Sequence, residues 1–331
     1  MPCLVLTHNE GAVLVDFFRH YRAIGRMNFL VVDDRSDDGT FDFLMNQPDA
    51  TIFRPKEGSN YAQHKREWRA ILLDHFADDR WAIVPDVDEH LIWHDFETRS
   101  LHALLNDLES EGAEGLYCTM VDMYKSGPLA AQTYLGNRPL EDEFTLFDDP
   151  RLDPLSYRST LAPHRFMQNW PTPRMFVHGG MRDRISRGQY KRNGLLAFLQ
   201  KRLPTIRSVE PTGTGWFVES ILKVLLRPEK GDMPALNMTK IPLVKWKSGS
   251  RFYSGQHALN RHYRLSKETG VLLHFPITKG EVGIRYNVDR GQHAANSAYY
   301  RGLLGVADQD ISYEGTSEFR SSRDLSAFLR K

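Results

Sequence analysis

The sequence predicts an α/β protein with a mostly parallel central sheet flanked by helices. In the first third of the 331 residues, short apolar runs alternate with segments of helical period, the pattern of successive βαβ units. Several of those runs also end in polar or acidic residues, as strands of an open α/β sheet do where ligands gather at their carboxyl ends.

Each element follows from its residues. Leu4 to Leu6 form a first strand, and Asn9 is placed to cap a helix in which Val13, Leu14, Phe17, Phe18, Tyr21 and Ile24 recur before Gly25 ends it. Phe29 to Val32 form a second strand, which runs into Asp33-Asp34-Arg35-Ser36-Asp37-Asp38-Gly39-Thr40. A short helix from Phe41 leads to a third strand at Thr51 to Phe53, and Arg54 to Gly58 breaks the chain. A helix from Tyr61 to Phe76 precedes a fourth strand, Trp81 to Val84, which enters Asp86-Val87-Asp88-Glu89. A helix from Leu101 to Leu108 leads to the strand Gly115 to Val121, with Asp122 at its end. From there to about Asn169 the chain is rich in Pro, Asp and aromatics with weak periodicity, which reads as long ordered loops over a site. Later landmarks are Gly179 to Arg184, Lys240 to Trp246 and Leu272 to His274, and the tail beyond Arg290 reads as helical and then polar.

Composition narrows the partners. With 43 Lys+Arg against 42 Asp+Glu, no global field draws nucleic acid or an anionic membrane, so phosphate binding must be local. The cysteines, Cys3 and Cys118, are too few for a disulfide framework or a thiolate zinc site, which fits a reducing cytoplasm. The N-terminus reads directly as a strand, without the basic and apolar regions of a secretory leader. No run reaches the roughly 18 apolar residues of a membrane span. A soluble protein is expected, with peripheral attachment to the inner face of a membrane left open.

The acids after the fourth strand emerge together at a strand end. That arrangement suits a hard cation such as Mn²⁺ or Mg²⁺, which takes one or two carboxylates and leaves other positions for phosphates and water. A capped turn carrying surface acids has the same three-letter pattern. After the second strand, a carboxylate can accept from a ribose or base while Gly39 allows a tight turn, although Asp, Ser and Gly also favour turns for local reasons.

Together these segments resemble the family 2 glycosyltransferases of GT-A, Rossmann-like fold. Thr7-His8-Asn9-Glu10 stands where that family's first strand ends, Asp33 to Thr40 matches its DDxSxDGT segment, and Asp86 to Asp88 is its DxD. The second half resembles a bacterial branch with GGxRxR, KxPLVKW and LLH segments, here Gly179 to Arg184, Lys240 to Trp246 and Leu272 to His274. The resemblance implies a nucleotide-sugar-binding half over residues 1–125, an elaborated acceptor half over 126–290 and a helical or flexible tail over 291–331. It implies that Thr7 and Asp33 face the nucleoside, usually uridine, with Asn9, Glu10 and Asp34 as further donor-binding candidates. Asp86 and Asp88 would hold the diphosphate-bound metal, with Val87 between them at the donor and His274 completing the metal shell. A neutral imidazole is a competent ligand, and a core histidine bonded to backbone is the alternative. Arg182 and Arg184 can clamp a phosphate or acceptor, or simply meet solvent. Lys240, Lys245 and Trp246 can frame the donor or stack on a sugar, and the indole can equally be core; His257 is a further candidate.

The expected reaction is transfer of a sugar from a nucleotide donor, UDP-linked, to a hydroxyl of a glycan or lipid-linked saccharide, with inversion. Inversion needs a carboxylate base. The family's Glu-Asp signal has no clean copy here, which leaves Asp122 and Asp183 as candidates and Glu141-Asp142-Glu143 behind them. A sugar-phosphate nucleotidyltransferase would need a Gly-rich, basic phosphate loop after the first strand, and Thr7 to Gly11 supplies none. A non-catalytic nucleotide-sugar- or carbohydrate-binding GT-A-like protein would not need both acids and the late histidine.

Overall fold

A computed structural model describes residues 1–154, 156–187, 236–291 and 297–331, the side chains of Arg187, Ala298 and Tyr299 apart. Residues 188–235 of the expected acceptor half therefore lie outside the described residues.

The first half follows the alternation closely: β1 (Pro2–Thr7), α1 (Gly11–Ile24), β2 (Asn28–Asp33), α2 (Thr40–Met45), β3 (Ala50–Phe53), α3 (Tyr61–Phe76) and β4 (Trp81–Ile83). The chain continues through β5 (Glu89–Ile92), α4 (Leu101–Ser110), β6 (Gly115–Tyr124), α5 (Leu140–Glu143), β7 (Leu146–Asp148), β8 (Tyr157–Leu161), α6 (His164–Met167), β9 (Met175–Gly179) and α7 (Gly180–Arg187). After the gap come β10 (Thr239–Lys245), β11 (Phe252–Tyr253), β12 (Ala258–Leu259), β13 (Leu265–His274), α8 (Gly280–Arg290), α9 (Ala298–Leu304) and β14 (Thr316–Glu318).

Among the described residues ten strands form one curled sheet, in the order β14-β7-β6-β10-β4-β1-β2-β3, with β13 beside β6 and β5 beside β13. β1, β2, β3 and β4 pair in parallel, as do β6 and β13. β10 is antiparallel to both β4 and β6, so those two run the same way and the sheet is mostly parallel in direction. Helices cover both faces. Cys3 and Val5 of β1 pack with Val13, Leu14, Phe17 and Phe18 of α1, while Leu4 and Leu6 pack with Ala70 and Leu73 of α3. This is the period-2 alternation of a strand buried on both sides, which is why the strand reads as one continuous apolar run.

Caps set the helix starts. Asn60 accepts from the Gln63 N–H at 3.0 Å, and Ser100 accepts from the Ala103 N–H at 3.2 Å. Asn9 does not cap α1: its amide donates to Asp37 Oδ1 at 2.7 Å and its carbonyl accepts the Asp37 N–H at 2.9 Å. It ties the end of β1 to the loop after β2. In the tail, β14 pairs antiparallel with β7, and Leu325, Phe328 and Leu329 enter the main core. No helix among the described residues is long and apolar enough to cross a membrane.

Candidate active site

Strand register brings the site together. β13 lies between β6 and β5, with His274 opposite Asp122 on one side and opposite Glu89 on the other. Thr7 and Asp33 are likewise register partners at the ends of β1 and β2. A cleft of about 320 Å³ opens over these ends, lined by Thr7, Glu10, Asp86, Asp88, Lys240 and His274 among others. The far wall is α8, which is tied to the β1 and β2 ends by polar contacts. Tyr286 shares a 2.7 Å hydrogen bond with His8, Arg290 meets Asp34 at 3.3 Å, and Lys279 meets Glu10 at 3.0 Å.

The acidic segment divides into different jobs. Asp86 accepts from Arg69 at 2.7 Å and from Lys240 at 2.5 Å. Lys240 also holds Glu89, which is fully buried and accepts the Asp86 N–H at 2.9 Å. Arg69 is fully buried and Lys240 nearly so, which makes this a quartet of opposed charges in the cleft floor. Burial would raise the Asp86 pKa, but Lys240 and Arg69 outweigh it and hold the carboxyl far below its ordinary range. For Glu89 burial wins over Lys240, and its pKa is raised. Asp86 is thus engaged by protein cations, whereas Asp88 meets, among the described residues, His274, whose Nε2 lies 3.3 Å from Asp88 Oδ2.

His274 is oriented from behind. Its Nδ1 lies 2.8 Å from Asp122 Oδ1 and 3.1 Å from Arg182 Nη2. Burial and Arg182 oppose a charge on the ring, yet Asp88 and Asp122 outweigh them and raise its pKa. A carboxylate behind a histidine whose other nitrogen faces a second acid is the arrangement that fixes a metal-ligating imidazole. Asp88 and His274 therefore fit a divalent cation, whose arrival would displace the Nε2 proton. Asp122 is fully buried and also accepts from the Arg182 backbone N–H and Nε; burial opposes its charge, but Arg182 and His274 bring its pKa down to about 2. Asp122→Asn should raise the Mn²⁺ concentration at half-saturation by about 10–100-fold in an EPR titration. An unchanged titration would show that the Asp122 contact does not orient a ligand.

The other expected site residues fall at different distances from this centre. Thr7 lines the cleft, and its hydroxyl is buried with no hydrogen-bond partner. Asp33 is fully buried, accepts the Ser36 N–H at 3.3 Å and lies 3.6 Å from Arg54. Asp34 is paired with Arg35 and Arg290. Val87 lines the cleft between the two aspartates and packs into the core. Arg182 lines the cleft, but Arg184 turns away to grip Asp148 at 2.8 and 3.0 Å, with its guanidinium over the Tyr313 ring. Trp246 is fully buried and donates to Asp74 at 2.7 Å, so it packs in the core and offers no face to a sugar. Lys245 reaches Asp79, at 4.0 Å, and does not line the cleft. His257 lines the cleft with Nδ1 2.7 Å from the Thr239 carbonyl oxygen; burial, then Lys240, lowers its pKa to about 3. Asp183 is buried on α7 and accepts the Leu236 N–H at 3.1 Å. Neither Asp122 nor Asp183 is among the cleft-lining residues.

Sequence reasoning missed Arg69 and Lys65, both on α3. Lys65 lines the cleft with its ammonium over the Tyr61 ring; burial, then Arg69, lowers its pKa to about 8. Neither belongs to a recognisable motif, and with Tyr61 and Trp68 beside Lys65, and Leu72 and Leu73 beside Arg69, at helical spacing, each reads in sequence as an ordinary cation of an amphipathic helix. Away from the cleft, His20, His90 and Glu141 converge within 4.8 Å. The imidazoles stack face to face at 4.2 Å and 7°, so no ion can lie in both ring planes, where the nitrogen lone pairs point.

No family model matches the chain, and no curated protein matches it. Among solved structures, it is similar to a Bacillus anthracis protein provisionally described as a glucose-1-phosphate thymidylyltransferase, determined in complex with a sucrose. The identity is 9%, the match covers 41% of this chain and 62% of that one, and the TM-score is 0.23. A likeness of that size carries no argument about function, so the geometry of the cleft is what bears on it.

Proposed function

We propose that the chain is a metal-dependent glycosyltransferase that moves a sugar from a UDP-linked donor to a hydroxyl of a glycan or lipid-linked acceptor. The observation that carries this reading is the pairing of Asp88 with a His274 oriented by buried Asp122, in a cleft that also holds the unpartnered Thr7 hydroxyl. A bound Mn²⁺ or Mg²⁺ supplies Lewis-acid stabilisation of the departing diphosphate, and Asp88 and His274 are the residues that would hold it. Asp86, clamped by Arg69 and Lys240, fixes the turn that presents Asp88. Lys65 makes no ion pair or hydrogen bond with a described residue, which leaves its ammonium for a phosphate oxygen. Thr7, which lines the cleft, would face the nucleoside, with Asp33 beside it on the neighbouring strand end.

Calorimetric titration of nucleotide sugars with and without Mn²⁺, together with an assay of UDP release, tests the proposal. Mn²⁺-dependent binding of a UDP-sugar is expected. Binding indifferent to Mn²⁺ would favour a non-catalytic binder, and pyrophosphate release from sugar-1-phosphate and UTP would establish a nucleotidyltransferase instead.

Glu10 adds a pH dependence. Burial raises its pKa to about 7 against the opposing pull of Lys279, and the Asp88 charge adds to the rise. Below that pH the folded protein holds Glu10 neutral; above it the carboxylate faces an anionic donor. Donor affinity should therefore fall as pH rises from 6 to 8, and Glu10→Gln should flatten that trend. A slope unchanged in the variant would remove Glu10 from the donor site.

A further inference from the structure

Next to the cleft lies an aromatic cluster with Trp170, Tyr253 and Arg66 at its surface. Phe166, Trp170 and Tyr253 meet edge to face, with ring centroids 4.9 Å apart for Phe166 and Tyr253 and 5.3 Å for Trp170 and Tyr253. The Arg66 guanidinium lies over both the Trp170 and Tyr253 rings, at 5.9 and 5.2 Å. Tyr253 is 36% exposed and Trp170 half-buried. A buried Trp or Tyr usually gives its N–H or O–H a protein partner, whereas one at the surface keeps that group available to solvent or a ligand. Here the Trp170 indole N–H, the Tyr253 hydroxyl and the Arg66 guanidinium make no hydrogen bond or ion pair with a described residue.

The cluster is continuous with the cleft on two separate elements. On α3, Lys65 lines the cleft and the next residue, Arg66, covers the aromatic rings. After β11, Tyr253 belongs to the cluster and the next residues, Ser254 and Gly255, line the cleft. Gly255 approaches the acidic centre closely: a Cβ there would stand 3.4 Å from Asp86 Oδ2. Ser254 and Gln256 flank it with positive φ of 55° and 35°, a costly backbone for residues other than glycine that holds this crossing point in place.

We propose that Trp170, Tyr253 and Arg66 form an acceptor subsite that binds a pyranose ring. Aromatic faces stack on the C–H face of the sugar, while the indole N–H, phenol and guanidinium donate to its hydroxyls, the mixture of apolar lining and few polar anchors typical of small-molecule sites. The subsite rests on the glycosyltransferase reading and supplies what Trp246, buried in the core, does not.

Saturation-transfer NMR of the full chain with a panel of methyl pyranosides and disaccharides tests it, with calorimetry of UDP-sugar and Mn²⁺ on the same preparations. The wild type should contact pyranosides through their ring protons. Trp170→Ala and Tyr253→Ala should each weaken glycan binding about tenfold or more while leaving donor affinity within about twofold. Trp170→Phe, which keeps a stacking face, should retain most of the binding and guards against a folding defect. Glycan binding unchanged in both alanine variants, or absent from the wild type across the panel, would overturn the subsite. Absence of donor binding in the wild type would instead overturn the glycosyltransferase reading, and the glycan measurement would still decide the subsite.

Discussion

Replacing Asp88 by Asn should reduce metal-dependent sugar transfer and donor hydrolysis by about 10³-fold while the protein stays folded. A cation acting on a departing diphosphate contributes several kcal/mol of transition-state stabilisation, and about 4 kcal/mol corresponds to that factor. The stability cost is small for a different reason. Asp88 is 29% exposed and meets His274 at the edge of the cleft, so an isosteric amide gives up a contact worth less than about 1 kcal/mol. Released UDP measured over a Mn²⁺ series, beside a thermal melt, separates the two effects. Turnover equal to wild type in a folded Asp88→Asn protein would sink the metal assignment.

Lys240→Met should do the reverse, with stability as the main loss. Lys240 is 2% exposed and neutralises Asp86 and Glu89 together, and removing one partner of a buried ionic group leaves uncompensated charge that costs about 3–5 kcal/mol. Glu89→Gln in the same chain should recover a large part of that loss, because a neutral amide no longer needs the ammonium. Urea denaturation of both single variants and the double variant closes the cycle. A Lys240→Met protein less than about 1 kcal/mol weaker than wild type would mean that the quartet does not hold the turn before β5.

The two substitutions separate chemistry from scaffold within Asp86-Val87-Asp88-Glu89. In sequence these acids look equivalent. In the folded protein Asp86 and Glu89 are paired to cations from α3 and β10, and Asp88 alone turns to the late histidine.

The amino-acid sequence by itself determined the first half of the fold. Helix α3 spans Tyr61–Phe76 as its periodicity indicates, and β1 to β4 lie within a residue or two of their apolar runs, because local propensity and two-sided burial agree there. It also set Thr7, Asp33 and Asp86 at strand ends, where an open α/β sheet collects ligands, while His274 entered only through the family resemblance; Thr7, Asp86, Asp88 and His274 line one cleft, and Asp33 is buried beside it. What only the tertiary structure decided are the pairings across long stretches of chain. β10 enters antiparallel between β4 and β6, and it delivers Lys240 to Asp86 from 154 positions away. β13 sets His274 beside Asp122, and the tail closes the core through Leu325 and Phe328. Trp246 entered the core while Trp170 stayed half-buried. Local patterns report which face of an element is apolar. Register between distant strands depends on the summed packing of the whole sheet, and that sum chose which acids meet protein cations and which meets the late histidine.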